Sequence, residues 1–335
     1  MKKIVLLLFT CICYPYFGGG YAGAPFRFGS NARAVSLSNS VVSTLNNGFN
    51  AITNPALLSQ LKKTEFGASL FPMSMDRSIQ SFSFSRRLPP TAGVAISLFR
   101  SGIDNNYGYD NTGESTGLSY NSWEGYAMLS FGTTFNKLSI GVNIKSLNNS
   151  LTNSVKASGL GFDIGAFYKI NNNNNIGFMI TNVSGSYKWN FNYDNSKYQY
   201  EEKLPTILSI GSSSLVNSFL VLSQVDFIVL NKSDTPSEVN SITDEIEYFQ
   251  LEDKIESKLR LGLEYDMLDI FSKSILLRFG VNQKYSDNFK DYNVTMGFGI
   301  PFIIDNIKLD FDYAISLNSM NVNFNQLFSI SFLYD

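Results

Sequence analysis

Strict alternation of apolar and polar residues recurs along most of the chain and constrains its fold more than any other feature. In one segment, Ile307, Leu309 and Phe311 alternate with Lys308, Asp310 and Asp312. The same period of two is found at 138–145, 160–165, 259–265, 275–282, 294–300 and 328–334. Successive side chains of a β-strand point to opposite faces. The pattern therefore predicts an all-β chain whose strands each have an apolar face and a polar face.

The connections between these segments favour a membrane barrel. The pattern predicts about fourteen strands, which begin near Glu65, Ser78, Thr91, Ser122, Leu138, Ala157, Asn175, Pro205, Phe219, Leu259, Ile275, Tyr292, Ile307 and Gln326. Short turns alternate with long polar connections at 101–121, 146–155, 181–204 and 231–257. A soluble β-sandwich also alternates apolar and polar residues, but nothing in it requires long and short connections in turn. We therefore expect a transmembrane antiparallel β-barrel in the outer membrane, with lipid around it.

The start of the chain predicts an exported protein. Lys2 and Lys3 precede an apolar run, and Gly20 and Ala22 have the spacing of a small-residue cleavage site. An uncleaved anchor and a lipoprotein are the alternatives, but the apolar run is short for a membrane span. We expect three parts: a signal peptide at 1–22, an N-terminal hatch segment at 23–62 and a barrel at 63–335.

Composition argues against catalysis. The chain contains no histidine, and its two cysteines, Cys11 and Cys13, lie in the predicted signal peptide. The usual general base, the Ser–His pair and Cys-type metal sites are therefore excluded. The formal net charge is −2, and basic runs are no longer than a pair such as Arg86–Arg87. We expect no enzyme activity, no metal, no cofactor and no nucleic-acid partner.

The N-terminal segment does not alternate, and it carries a family resemblance. Asn54 followed by Pro55 predicts a capped turn that leads into a short helix. The order Phe26-x-Phe28-Gly29, Ala32-Arg33-Ala34 and Asn54-Pro55-Ala56-Leu57-Leu58 resembles the opening of PorV/PorQ-type proteins. These proteins belong to the superfamily of the FadL long-chain fatty acid transporters. The stretches 161–166 and 180–185 are similar to a mid-barrel hairpin of that family.

The resemblance implies a fourteen-stranded barrel with a hatch in its lumen. The hatch would carry Ala32, Arg33 and Ala34, and its inner turn would be Asn54, Pro55 and Ala56. PorV and PorQ proteins are accessory components of type IX secretion, which implies a secretion translocon and secreted cargo as partners. FadL members instead pass hydrophobic small molecules through the barrel to a lateral opening.

Charged residues fall on the polar faces of several predicted strands. Arg260, Arg278, Asp310 and Asp312 are expected on neighbouring strands, and Lys145, Asp163, Asp226 and Glu264 share the same orientation. Buried charges must be paired or solvated. Internal ion pairs that tie the hatch to the wall are the first interpretation. A charged selectivity lining is the second.

Two functions follow, and they differ in what the lumen should contain. The first is an accessory or cargo-shuttle role in type IX-like secretion, and the alternative is transport of fatty acids or other hydrophobic solutes. An apolar pocket between hatch and wall, with a gap in a strand, would favour transport. A sealed lumen and exposed outer aromatics would favour docking, and we expect such aromatics at Tyr107, Tyr109, Tyr120, Trp123, Trp189 and Tyr193. A structural barrel without transport is the third possibility.

Overall fold

A computed structural model describes most of the chain. The described residues are 21–73, 76–152, 154–193, 196–230, 254–270, 273–284, 292–304, 307–317 and 324–334. Most of the predicted signal peptide lies outside them, because the description begins at Tyr21. Where a strand includes residues whose side chains are not described, only its backbone is discussed.

The N-terminal segment, residues 21–61, folds into short helical pieces. These are a 3-10 helix at Ala24–Arg27, helix α1 at Ala32–Ser36, helix α2 at Asn50–Thr53 and a second 3-10 helix at Pro55–Gln60. Asn54 is the N-cap of the last piece, and its side-chain oxygen accepts a hydrogen bond from the backbone N–H of Ala56 at 3.1 Å. Pro55 follows at the first helical position, where its missing N–H costs nothing.

The remainder forms sixteen strands. They are β1 (Thr64–Pro72), β2 (Arg77–Leu88), β3 (Ala92–Tyr109), β4 (Ser115–Phe135), β5 (Leu138–Ser150), β6 (Lys156–Lys169), β7 (Asn174–Val183), β8 (Ser186–Tyr193), β9 (Ser196–Lys203), β10 (Thr206–Val216), β11 (Phe219–Leu230), β12 (Lys254–Ile270), β13 (Lys273–Lys284), β14 (Tyr292–Ile304), β15 (Ile307–Leu317) and β16 (Phe324–Tyr334).

Fourteen of these strands close into an antiparallel barrel. β1 pairs with β16, with Thr64 opposite Tyr334, and β5 pairs with β6, so the sheet has no open edge in the wall. β8 and β9 form a separate hairpin, and its backbone pairing with the wall, within the described residues, lies where Lys156–Ser158 of β6 pair with residues 188–190 of β8. The predicted all-β barrel of about fourteen strands is confirmed.

The alternation places apolar side chains outside. On β5, Ile140, Val142 and Ile144 are exposed, whereas Ser139 and Asn143, which alternate with them, are fully buried. Other strands repeat this arrangement, for example at Leu261, Leu263, Leu277 and Phe279. A closed barrel with an apolar exterior satisfies its backbone internally and presents hydrocarbon to lipid. The protein is an outer-membrane barrel. No helix among the described residues is long and apolar enough to cross a membrane.

The four predicted long connections all include strand residues. The sequence predicts a loop at 101–121, but β3 and β4 continue into this region as a long hairpin whose turn lies between Tyr109 and Ser115. It also predicts a loop at 181–204, which instead contains the β8–β9 hairpin. Strand β5 extends to Ser150 within 146–155, and β12 begins at Lys254 within 231–257, of which 231–253 lie outside the described residues. The sequence-based boundaries failed where polar residues continue a strand beyond its apolar face.

Candidate functional site

A row of glycines on the barrel wall provides space for the end of the N-terminal segment. Gly93, Gly132, Gly141 and Gly165 lie opposite one another across β3, β4, β5 and β6. A Cβ atom on any of them would overlap residues Asn54–Leu58. The Asn54 side chain also donates hydrogen bonds to the carbonyls of Val42 and Ala166, at 2.9 and 3.1 Å. The predicted Asn54-Pro55-Ala56 turn therefore lies directly against the inner wall.

Two further glycine pairs repeat this arrangement around the barrel. Gly177 and Gly211 are opposite each other on β7 and β10, and both approach Val42. Gly262 and Gly280 are opposite each other on β12 and β13, and both approach the backbone around Leu37. Only glycine permits such close backbone approach. These positions were visible in the sequence as glycines on polar faces, but their role required knowledge of the strand register.

The Ala32-Arg33-Ala34 motif forms the start of α1, which is wholly buried. The backbone N–H of Ala32 donates to the Ser329 hydroxyl on β16 at 2.6 Å. Arg33 forms a bidentate ion pair with Glu264 on β12, in which Nε and Nη2 donate to the two carboxylate oxygens at 2.9 and 3.0 Å. Bidentate pairs of this kind combine charge with fixed geometry. The contacts of Ala32 and Arg33 therefore connect the N-terminal segment to β16 and β12, on the other side of the barrel from Pro55.

Glu264 also begins a chain of ion pairs along the wall. It accepts from Arg278 Nε at 2.6 Å, and Arg278 Nη1 donates to Asp312 Oδ1 at 2.6 Å. Arg278 lies on β13 and Asp312 on β15, with β14 between them. Gly299 of β14 has no side chain, which leaves the space in which Arg278 and Asp312 meet. This network therefore brings together two of the four predicted lumen charges.

The other two predicted lumen charges have different partners. Arg260 pairs with Asp226 on β11 and donates to the Ser38 carbonyl at 2.9 Å. Asp310 accepts from the Asn47 side chain at 2.9 Å and lies 3.2 Å from Lys308. All four charges thus lie inside the barrel, but they form separate contacts rather than one cluster. Arg260 and Asp310 contact the N-terminal segment directly, whereas Arg278 and Asp312 belong to the network that includes Arg33.

Another ion pair lies where the β6–β7 ladder is irregular, between Phe162 and Ile164. Asp163 accepts from Lys145 at 2.8 Å and from the backbone N–H of Asn182 at 3.0 Å. Asn182 has a positive φ of 58°, a conformation that Asn tolerates. The Asp163 side chain thus takes the place of a ladder partner at this irregularity and joins β6 to β7.

A cavity of about 450 Å³ lies between the N-terminal segment and the wall. One part of its lining is apolar. Phe26 contacts Phe99 and Tyr126 edge-on, with ring centroids 5.4 and 5.1 Å apart, and Phe99 stacks on Tyr126 at 5.3 Å. Met179, Ile207 and Ile228 add aliphatic surface. This part of the cavity can accept a hydrocarbon ring or chain.

The remaining lining residues are polar and include charges of both signs, and they adjoin the apolar ones, since Ile228 lies opposite Glu256. They include Arg27, Gln224, Asp226, Glu256, Ser257, Arg260, Asn282 and Thr295. Asp226 is fully bonded, to Ser209, Gln224 and Arg260. Arg27 makes no hydrogen bond or ion pair with any described residue. Burial lowers the pKa of Arg27, and the Glu256 and Glu124 carboxylates oppose that shift.

The β8–β9 hairpin packs against the start of the N-terminal segment. Glu124 on β4 accepts from the Tyr187 hydroxyl at 2.9 Å and from the backbone N–H of Gly23 at 3.0 Å. Trp189 is only 3% exposed, and its indole N–H donates to Glu202 at 2.9 Å. The prediction that Trp189 is an exposed docking aromatic is wrong, because the hairpin turns this face towards the lumen. Tyr107 is exposed as expected.

Comparison with solved structures identifies the fold. The toluene transporter TodX of Pseudomonas putida superposes with a TM-score of 0.61 at 14% identity, over 91% of this chain and 98% of that chain. A FadL homologue of Pseudomonas aeruginosa gives 0.60 at 12%, over 91% and 98%. The CymD monoaromatic hydrocarbon channel gives 0.61 at 11%, over 92% and 98%. This chain shares their fold. No protein-family model matches the sequence, and no curated protein sequence matches it.

Proposed function

We propose that the protein transports small hydrophobic solutes across the outer membrane. The cavity between the N-terminal segment and the wall carries this proposal, because its aromatic and aliphatic part suits an apolar solute. The similar structures support the same class of solute, since two are described as a toluene transporter and a monoaromatic hydrocarbon channel. Transport requires no covalent chemistry, which agrees with a chain that has no histidine.

We further propose that residues 23–62 act as a hatch inside a barrel formed by residues 63–335. A fourteen-stranded barrel is wide enough to leak unless its lumen is filled. Ala32, Arg33 and Ala34 would anchor one side of this hatch through Ser329 and Glu264. Asn54, Pro55 and Ala56 would anchor the other side against the glycine row. Solute would pass beside the hatch through the cavity.

Uptake of radiolabelled toluene by cells that express the protein tests the transport proposal. Met179 is buried and lines the cavity, so the larger side chain of Met179→Trp should fill part of that space. We expect uptake by this variant to fall to the level of cells that lack the protein. Ile140→Trp is the matched control, because Ile140 is exposed on the outer face of β5. Equal uptake by both variants would contradict transport through the cavity.

The secretion role suggested by the PorV/PorQ resemblance is the second candidate. It predicts docking to a large translocon and to secreted cargo, and exposed Tyr107 is the described feature that favours it. Gentle extraction from native membranes, followed by mass spectrometry of co-purifying proteins, distinguishes the secretion role from the transport role. Recovery of a very large barrel or of secreted proteins with a shared C-terminal domain would favour secretion. Recovery of the protein alone, with bound apolar molecules, would favour transport.

A further inference from the structure

Two polar atoms on adjacent residues of β12 have no hydrogen-bond partner in the described part of the chain. One carboxylate oxygen of Glu256 and the hydroxyl of Ser257 make no hydrogen bond within the described part of the chain. Both residues line the cavity, and they are only 9% and 8% exposed. Buried polar atoms in native proteins are nearly always bonded, and exceptions call for a specific explanation. Asp226, on the neighbouring strand, is fully bonded, so missing partners are not general in this region.

The polar part of the cavity offers both a donor and an acceptor. The Glu256 carboxylate can only accept hydrogen bonds, and the Arg27 guanidinium can only donate them. Both line the cavity, and neither fully satisfies the other, since no ion pair joins them. A bound group that donates a hydrogen bond to Glu256 and accepts one from Arg27 would give both side chains a partner.

The chemistry of the two side chains selects among possible solutes. A pure hydrocarbon can bond to neither. A carboxylate can accept from Arg27 but is repelled by Glu256, and an ammonium group can donate to Glu256 but is repelled by Arg27. A hydroxyl group is uncharged, and it donates and accepts at once.

We propose that the cavity binds apolar alcohols, with the hydroxyl group between Glu256 and Arg27 and the hydrocarbon against Phe26, Phe99 and Met179. This rests on the proposed transport function and narrows its solute class. The alcohol would be aliphatic or aromatic, because the apolar lining contains both kinds of side chain.

Equilibrium dialysis with the full protein in lipid nanodiscs tests this proposal. The probes are radiolabelled octan-1-ol, octane, octanoate and octylamine, and empty nanodiscs correct for partition into lipid. We expect octan-1-ol to bind about tenfold more tightly than the other three, because it alone completes both polar partners without repulsion. Binding of octane or octanoate as tight as that of octan-1-ol would overturn the proposal while leaving transport intact. No binding of any probe would contradict both.

Three variants test whether the polar residues of the cavity cause the preference for octan-1-ol. Glu256→Gln removes the negative charge, so we expect the preference for octan-1-ol over octanoate to fall by about tenfold. Arg27→Gln removes the positive charge, so we expect the preference for octan-1-ol over octylamine to fall by about tenfold, and it keeps the test valid if Glu256→Gln folds poorly. Asp104→Asn is the matched control, because Asp104 pairs with Arg100 at an exposed position away from the cavity. An unchanged preference in folded Glu256→Gln would overturn the assignment.

Discussion

At the scale of single residues, Glu264 joins the N-terminal segment to the wall. Its carboxylate accepts from Arg33 and from Arg278, and all three side chains are buried. We predict that Glu264→Gln destabilises the protein by about 3–5 kcal/mol, because two buried guanidinium groups lose their shared counter-charge. Urea unfolding in lipid vesicles measures this change. Asp104→Asn breaks an exposed pair and should cost about 0–1 kcal/mol. Similar losses in both variants would contradict a specific role for Glu264.

The same residues show what the sequence could predict about the lumen. Alternation on β12 and β15 predicts that Arg260, Asp310 and Asp312 point inwards, and all three residues are buried in the structure. It could not predict partners, because the Arg33–Glu264 contact joins positions 231 residues apart and depends on how the N-terminal segment lies in the barrel. The Arg278–Asp312 pair also depends on the space at Gly299 on an intervening strand.

At the scale of secondary structure elements, the glycine row across β3 to β6 sets how closely the N-terminal segment can approach the wall. Gly141→Val would force side-chain carbon into the backbone of Pro55. We predict displacement of the Asn54–Pro55 turn and a loss of about 1–3 kcal/mol, the usual result of overpacking. Limited proteolysis of the N-terminal segment, together with urea unfolding, measures both effects. Val142→Ile, on the outer face of the same strand, is the control. Unchanged cleavage in Gly141→Val would refute the close contact.

The β8–β9 hairpin shows why some elements escaped prediction. Tyr187, Trp189 and Phe191 do alternate with polar residues, but the segment is short and polar overall. Its strand character is fixed by contacts from elsewhere, namely the bond from Tyr187 to Glu124 and the short pairing with β6. The barrel strands could be predicted from their own sequences, because lipid on one side and the lumen on the other require alternating apolar and polar residues in each strand.

At the scale of the whole molecule, the lengths of the connections indicate which end of the barrel faces the outside of the cell. The β3–β4 hairpin extends well beyond its neighbours, whereas β4 and β5 are joined by a turn at Asn136 and Lys137. Outer-membrane barrels place long connections outside the cell and short turns in the periplasm. This orientation places the β8–β9 hairpin and the cavity end near Gly23 towards the exterior, where an external solute would first meet the protein.

Cysteine labelling tests this orientation, because both natural cysteines lie in the predicted signal peptide. Asn111 and Lys137 are exposed at opposite ends of β4. We predict that a membrane-impermeant maleimide labels Asn111→Cys on intact cells, because this residue lies in the long hairpin. Lys137→Cys should react only after the outer membrane is permeabilised. The reverse pattern would invert the barrel, and solute from outside would then meet the Asn54-Pro55-Ala56 turn before the cavity, which is incompatible with the proposed route.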